Sequence, residues 1–255
     1  MQNENVKKQY ATDRNLSIRI RFQQTYSVNQ QGFGSWILQH YALAPEMCIL
    51  ELGCGNGSMW AGKTGLLPQG CRLILSDFSK GMLEAARNNI GEQPSVSYEL
   101  IDIAQIPYGD ASMDAVIANM MLYHVPDLDG ALAEVRRVLR PGSAFYCATY
   151  GVHGIMSWLN EALKGMIPPI AMNTEFTLQN GEEKLWKHFH SVTKLEYPDA
   201  FLVTRAEDLA EYVMSLTAMA DVESVSREML MDLFESRMEN GVIRIPKEYG
   251  MFICR

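Results

Sequence analysis

No two of the five cysteines stand in a C-x-x-C pair: Cys48, Cys54, Cys71, Cys147 and Cys254 are odd in number and scattered along the chain. A disulfide framework and a zinc knuckle both need paired thiols, so neither is expected, no metal site is proposed, and a reducing, cytoplasmic setting fits best. Nowhere do eighteen apolar residues run uninterrupted, and the opening MQNENVKKQYATDRN carries no apolar h-region, so membrane spanning and secretion find no support. Basic residues are the scarcer sign, with 22 Lys and Arg against 30 Asp and Glu and a formal charge of −8. That balance opposes non-specific attraction to nucleic-acid phosphates or to an anionic membrane, and points to a small or neutral partner. Internal repeats and low-complexity tracts are missing as well.

What is present is a hydrophobic share of 47% over 255 residues, enough for one large α/β domain, and a periodicity that divides the chain. Between Met47 and Ala148 short β-rich runs (MCILEL, CRLILS, VSYELI, MDAVIAN, SAFYCAT) alternate with helical patterns. Such alternation predicts a parallel sheet whose strands, buried on both faces, read as nearly continuous apolar runs. The helix SKGMLEAARNNI opens on a Ser79 cap and closes near Gly91; DLDGALAEVRRVLRPG opens on Asp127 and stops at Pro141-Gly142. Two later β-like stretches, VTKLEYPDAFLV and GVIRIPKEYGMFIC, bring the expected sheet to seven strands. The expected organisation is an N-terminal helical cover over 1–46, an α/β core over 47–150, a helical insertion over 151–190 after the fifth strand, and completion of the sheet over 191–255.

The chemistry is expected where the first strand ends. Gly53, Cys54, Gly55, Asn56 and Gly57 follow CILEL directly and precede an expected helix, so the backbone there turns sharply and admits a ligand close to it. Asp77 ends the second strand, twenty residues past Gly57, where a carboxylate accepts hydrogen bonds from both hydroxyls of a ribose. Asp102 is placed at the end of the third strand and Asn119 at the end of the fourth. Polar residues thus recur at successive carboxyl ends, where open α/β sheets collect ligands.

The segments ELGCGNG, Asp77-Phe78-Ser79, DIAQIPYGDASMDAV and LYHVPDLDGALAEVRRVLRPG resemble the class I S-adenosylmethionine-dependent methyltransferase family, particularly its small-molecule branch, over roughly residues 47 to 150. The resemblance implies a doubly wound, mostly parallel seven-stranded Rossmann-like sheet, with S-adenosylmethionine as cofactor, S-adenosylhomocysteine as product and a small-molecule methyl acceptor. It further implies that Gly53, Cys54 and Gly55 line the methionine part of the cofactor and that Asp77 holds the ribose. Phe78 and Met82 would sandwich the adenine, Asp102 would bind its amino group, and the Ile103 backbone would meet a ring nitrogen. Asn119 and His124 would lie beneath the sulfonium. The leading helix is similar to one that covers the cofactor in a bacterial subgroup, which would bring Tyr10 and Arg19 over the methionine carboxylate.

Methyl transfer is an in-line displacement that gains mainly from alignment and exclusion of water, with a base wherever the nucleophile carries a proton. His124 is the first candidate base and His153 the second. Met120, Tyr123, Trp158 and Trp186 are candidate walls of an acceptor pocket. Two rivals stay open: a nicotinamide-dependent oxidoreductase, for which Ser58 stands where glycine or alanine is wanted and no Tyr-x-x-x-Lys pair exists, and a non-catalytic nucleoside-binding protein.

Overall fold

The computed structural model describes residues 13–217, 220–222 and 224–255. Its strands are β1 (Cys48–Leu52), β2 (Arg72–Asp77), β3 (Val96–Leu100), β4 (Met113–Asn119), β5 (Leu139–Tyr150), β6 (Val192–Val203) and β7 (Ile243–Cys254). They form one seven-stranded sheet in the order β3-β2-β1-β4-β5-β7-β6. All five residues of β1 are buried, as a central strand covered on both faces requires. β1 pairs in parallel with β2 from Cys48↔Arg72 to Leu52↔Ser76, and with β4 from Ile49↔Ala115 to Glu51↔Ile117. The winding therefore reverses between β1 and β4, and their carboxyl ends flank the crevice in which such sheets bind ligands. β6 and β7 run antiparallel, Ser191 and Arg255 exchanging backbone hydrogen bonds of 3.0 and 2.9 Å beside them.

The helices are α1 (Asp13–Tyr26), α2 (Phe33–Gln39), α3 (Lys80–Ile90), α4 (Leu128–Val138), α5 (Ile155–Ala162), α6 (Gly181–Trp186), α7 (Ala206–Met214) and α8 (Arg227–Ser236). Local chemistry sets the ends of α3 and α4. Ser79 Oγ accepts from the Met82 N–H at 3.4 Å and Gly91 ends α3 with φ 81°, while Asp127 Oδ1 accepts from the Gly130 N–H at 3.0 Å. On α4 the buried Ala131, Leu132, Val135 and Val138 recur at helical spacing and face the sheet.

Two expectations change. The sequence Pro141-Gly142 does not close α4, which ends at Val138; it forms a bulge inside β5. Between Met113↔Leu139 and Ala115↔Ala144 the register advances two residues along β4 but five along β5, and Gly142 takes φ 80° there. A proline without an N–H and a glycine at positive φ suit a bulge as well as a helix stop. The helix expected after the glycine loop is also missing. Turns occupy residues 58–63 and a single 3₁₀ turn follows at Thr64–Leu66. Gly62, at φ 69°, interrupts any regular helix there.

The chain folds into two compact units. One comprises Phe33–Tyr150, Glu175–Tyr197 and Gly250–Arg255, and its core includes Leu50, Leu52, Val116, Phe145 and Phe252. The other comprises residues up to Gly32, Gly151–Thr174 and Pro198–Tyr249, around Phe22, Phe201, Leu209, Val213 and Phe234. Within this second unit the Lys247 ammonium donates to Asp199 Oδ2 at 2.8 Å and to Ser27 Oγ at 2.6 Å. Burial opposes both charges; it lowers the Lys247 pKa, but the bonds from Lys247 and Ser27 outweigh it at Asp199 and hold that carboxyl below its usual range.

Candidate active site

Gly53, Gly55 and Gly57 all adopt positive φ, so the chain leaving β1 doubles back on itself. Its turns are tied to β2: the Cys54 N–H donates to the Ser76 carbonyl at 2.8 Å and the Gly55 N–H to Asp77 Oδ2 at 3.0 Å. The two glycines beyond Gly53 serve different needs. A Cβ on Gly57 would come within 2.7 Å of Ile90 Cδ1 and 3.0 Å of Ala86 Cβ, so that glycine lets the loop press against α3. A Cβ on Gly55 would meet nothing within 4 Å, which leaves bare backbone open to a ligand.

Asp77 is 6% exposed. Its Oδ1 accepts from the Ser79 N–H at 2.9 Å, which leaves lone pairs on both oxygens for further donors. Burial raises its pKa, against the opposing hydrogen bonds from Ser79, Gly55 and Phe78 backbone groups. Phe78, the next residue, is 48% exposed, and Met82 on the first turn of α3 is half-buried. Asp102 is not at a strand end as expected: β3 stops at Leu100, and Asp102 opens a turn two residues on. There it is exposed, its Oδ1 accepts from the Ala104 N–H at 2.9 Å, and Ile103 beside it is buried. The Asp77↔Leu100 register keeps this turn at the same end of the sheet as Asp77.

At the end of β4 a buried polar network appears that the sequence reading passed over. Glu51, 2% exposed, accepts from the Trp60 indole N–H and, through Oε1, from Asn119 Nδ2 at 3.5 Å. The same amide donates to the Tyr41 hydroxyl oxygen at 2.7 Å. Burial pushes the Glu51 carboxyl up to about 7, partly offset by the bonds from Trp60 and Asn119. Among the described residues, Asn119 Oδ1 is the one buried side-chain N or O atom without a hydrogen-bond partner. The available signal was the glutamate itself, an acid inside the otherwise apolar strand CILEL, which demands donors when buried.

After Asn119 the chain kinks at Met120, a non-glycine residue with φ 55°, and Met121 packs against Gly53, whose Cβ would lie 2.8 Å from Met121 Cγ. A 3₁₀ turn, Leu122–His124, then presents Tyr123 and His124 with ring centroids 4.5 Å apart, and Tyr123 in turn lies 4.7 Å from Tyr150. Burial lowers the His124 pKa, so the imidazole is neutral and able to accept a proton at pH 7.

Gly53, Cys54, Gly55, Asp77, Phe78, Met82, Asp102, Ile103, Asn119, Met120, Tyr123 and His124 thus share one unit, on segments that leave the carboxyl ends of β1 to β4. Trp186, half-exposed on α6, belongs to the same unit. Arg19, His153 and Trp158 belong to the other. Arg19 Nη1 donates to the Ser215 carbonyl at 2.9 Å, at the carboxyl end of α7; the exposed His153 gives its backbone N–H to Glu248 Oε2 at 2.6 Å; Trp158 packs against Phe234. Tyr10 lies outside the described residues.

Residues 50–147 match the family described as Methyltransferase domain. Malonyl-[acyl-carrier protein] O-methyltransferase of Serratia marcescens is 29% identical to this chain over 69% of it and 68% of the relative. Methyltransferase GfsG of Streptomyces halstedii is 36% identical over 42% of this chain and 39% of its own. The match thus spans well under half of the one relative and about two thirds of the other. Among solved structures, phosphoethanolamine N-methyltransferase 2 of Haemonchus contortus in complex with S-adenosyl-L-methionine superposes with a TM-score of 0.53, covering 87% of this chain and 51% of that one. At 17% identity, that likeness is one of fold.

Proposed function

Because residues 50–147 match the methyltransferase domain family, we propose that the chain is a class I S-adenosylmethionine-dependent methyltransferase, which binds S-adenosylmethionine and transfers the methyl group to a small-molecule acceptor. The observation that carries this reading is the Gly55 N–H bond to Asp77, which sets a bare glycine backbone beside a buried carboxylate at the sheet's winding reversal. The residues fit the cofactor's chemistry. Asp77 retains acceptor capacity for ribose hydroxyls, the exposed Phe78 and Met82 offer apolar faces to adenine, and Asp102 and the Ile103 backbone offer polar partners to its edge. Gly53, Cys54 and Gly55 receive the methionine part, and the unpartnered Asn119 Oδ1 calls for a donor. Tyr10 and Arg19 remain assigned to the methionine carboxylate by resemblance alone.

When bound, the cofactor supplies an electrophilic methyl carbon on a sulfonium. The protein's part is to align an acceptor, keep water out and take a proton if the acceptor carries one. His124 fills the last role, being neutral at pH 7, with His153 as the alternative. Met120, Tyr123 and Trp186, which share the unit of the glycine loop, are assigned to the acceptor pocket; the assignment of Trp158 to that pocket, and of the N-terminal segment and 151–190 to a cover, rests on the sequence alone. Oxygen nucleophiles are the first acceptors to screen, since the Serratia relative is named an O-methyltransferase. The charge of −8 disfavours nucleic acid as substrate, no described helix is long and apolar enough to cross a membrane, and the free cysteines suit the cytoplasm.

The turns that replace a helix after Gly57 count against a nicotinamide dinucleotide, whose pyrophosphate is held by a helix N-terminus at this place. Calorimetry with S-adenosylhomocysteine and NAD, followed by an acceptor screen with methyl-labelled cofactor, tests the proposal. Binding of NAD with no binding of the adenosyl ligand would overturn it.

A further inference from the structure

A primary amide has two nearly isosteric orientations that exchange a donor for an acceptor, so the direction of Asn119 must be imposed by its neighbours. Both neighbours on its amino side take hydrogen bonds: the Tyr41 oxygen at 2.7 Å and Glu51 Oε1 at 3.5 Å. Turning the amide over would put its carbonyl oxygen against the Glu51 carboxyl, which resists it once ionised, at pH above about 7. The shorter of the two bonds belongs to Tyr41, which precedes β1 and lies outside the family match at 50–147. Tyr41 is itself pinned. It is 8% exposed, its ring lies 4.8 Å from Tyr146 and 6.5 Å from Trp60, and the Tyr146 hydroxyl is held by the Ala42 N–H at 2.9 Å. Trp60 closes the circle by donating to Glu51. Glu51 thus selects the end of the amide and Tyr41 holds it there, and the end left over is the buried, unpartnered Oδ1 at the carboxyl end of β4.

We propose that Tyr41 is a positioning residue which, by holding the Asn119 amide, keeps Oδ1 as a ready acceptor for an N–H donor of the bound cofactor. A ligand donor that reaches Oδ1 makes a hydrogen bond that no protein group among the described residues makes. The inference rests on the methyl-transfer reading and adds to it a residue that precedes the matched domain.

The test is a double-mutant cycle read by calorimetry with S-adenosylhomocysteine. Tyr41→Phe keeps the ring and removes only the hydroxyl; it should weaken binding about 3- to 10-fold, the scale of one hydrogen bond, with the unliganded fold intact by circular dichroism. Asn119→Ala should weaken binding at least as much. The double variant should bind no worse than Asn119→Ala alone, because Tyr41 acts through the amide. If Asn119→Ala does not fold, Asn119→Ser takes its place in the cycle. Parent-like binding by Tyr41→Phe, or a loss that adds fully to that of Asn119→Ala, overturns the positioning role while leaving the methyltransferase reading intact. A parent protein that binds neither S-adenosylhomocysteine nor S-adenosylmethionine removes both.

Discussion

The Gly55 N–H donates to Asp77 Oδ2 at 3.0 Å, so the loop after β1 and the end of β2 are one structure. Asp77 therefore has two duties, one to the loop and one to the ligand proposed for it. Asp77→Ala is expected to weaken S-adenosylhomocysteine binding by roughly 1.5–3 kcal/mol, the range for hydrogen bonds to a charged acceptor. It should also lower the thermal midpoint, because the Gly55 and Ser79 N–H groups both lose their partner. Calorimetry and a melt on the same sample separate the two effects. A dissociation constant equal to the parent's would take Asp77 out of the ribose site.

Gly55 and Gly57 make a paired test of why the loop needs glycine. Gly57→Ala combines the strain of a side chain at φ 73° with a Cβ 2.7 Å from Ile90, and should cost about 2–4 kcal/mol in denaturant unfolding. Gly55→Ala meets no neighbour and should cost only about 1 kcal/mol, yet its methyl would stand on backbone left open for the ligand. Expected, then, is a folded Gly55→Ala variant with little affinity for the cofactor, and an unstable Gly57→Ala. Equal destabilisation with retained binding would contradict the assignment.

The features legible in the sequence are those written in adjacent residues. The runs CILEL and MDAVIAN mark strands because both faces are covered, and Ser79, Gly91 and Asp127 mark helix ends because a cap is a local hydrogen bond. Asp77 follows directly on the run CRLILS, so its place at a strand end is local as well. The Glu51, Asn119 and Tyr41 network was not legible, since its bonds join positions 68 and 78 residues apart and exist only once β1 lies beside β4. The turns after Gly57 escaped for a related reason. Trp60 reads as part of a helical pattern, but its indole is committed to Glu51 inside the fold. Nor could periodicity show that β6 and β7 each contribute to two compact units.

Glu51 gives the fold a specific pH dependence. Its folded pKa of about 7 lies above the ordinary 4.5, so the native state binds this proton more tightly than the unfolded chain does. The stability tied to that proton is complete below about pH 4.5 and is lost as pH rises through 7. Glu51→Gln removes the titration. Relative to the parent, the variant should gain stability between pH 5 and pH 8, by up to about 2–3 kcal/mol at the alkaline end. Urea unfolding at both pH values measures it, and parallel pH profiles for the two proteins would show that Glu51 does not titrate in this range.

His124 separates a catalytic histidine from a merely buried one. Burial lowers its pKa, so the neutral form predominates from below the ordinary histidine value upward, and activity that uses it as a base should already be at its plateau at pH 7. The falling limb then lies on the acid side, and there the folded state also loses stability, because protons bind the unfolded chain more readily than the buried ring. Rates must therefore be taken on protein shown to be folded at each pH. With an acceptor that carries a proton, His124→Gln should lower kcat by roughly 100-fold or more while S-adenosylhomocysteine binds within a factor of about three, and the acid limb should vanish. The glutamine keeps a polar side chain beside Tyr123, whose ring centroid lies 4.5 Å from the imidazole, so a packing defect is limited. A fall in cofactor affinity equal to the fall in kcat would make His124 a binding residue. Unchanged turnover with an unchanged acid limb would move the proton to His153, and unchanged turnover with no acid limb in either protein would mean that alignment alone carries the transfer.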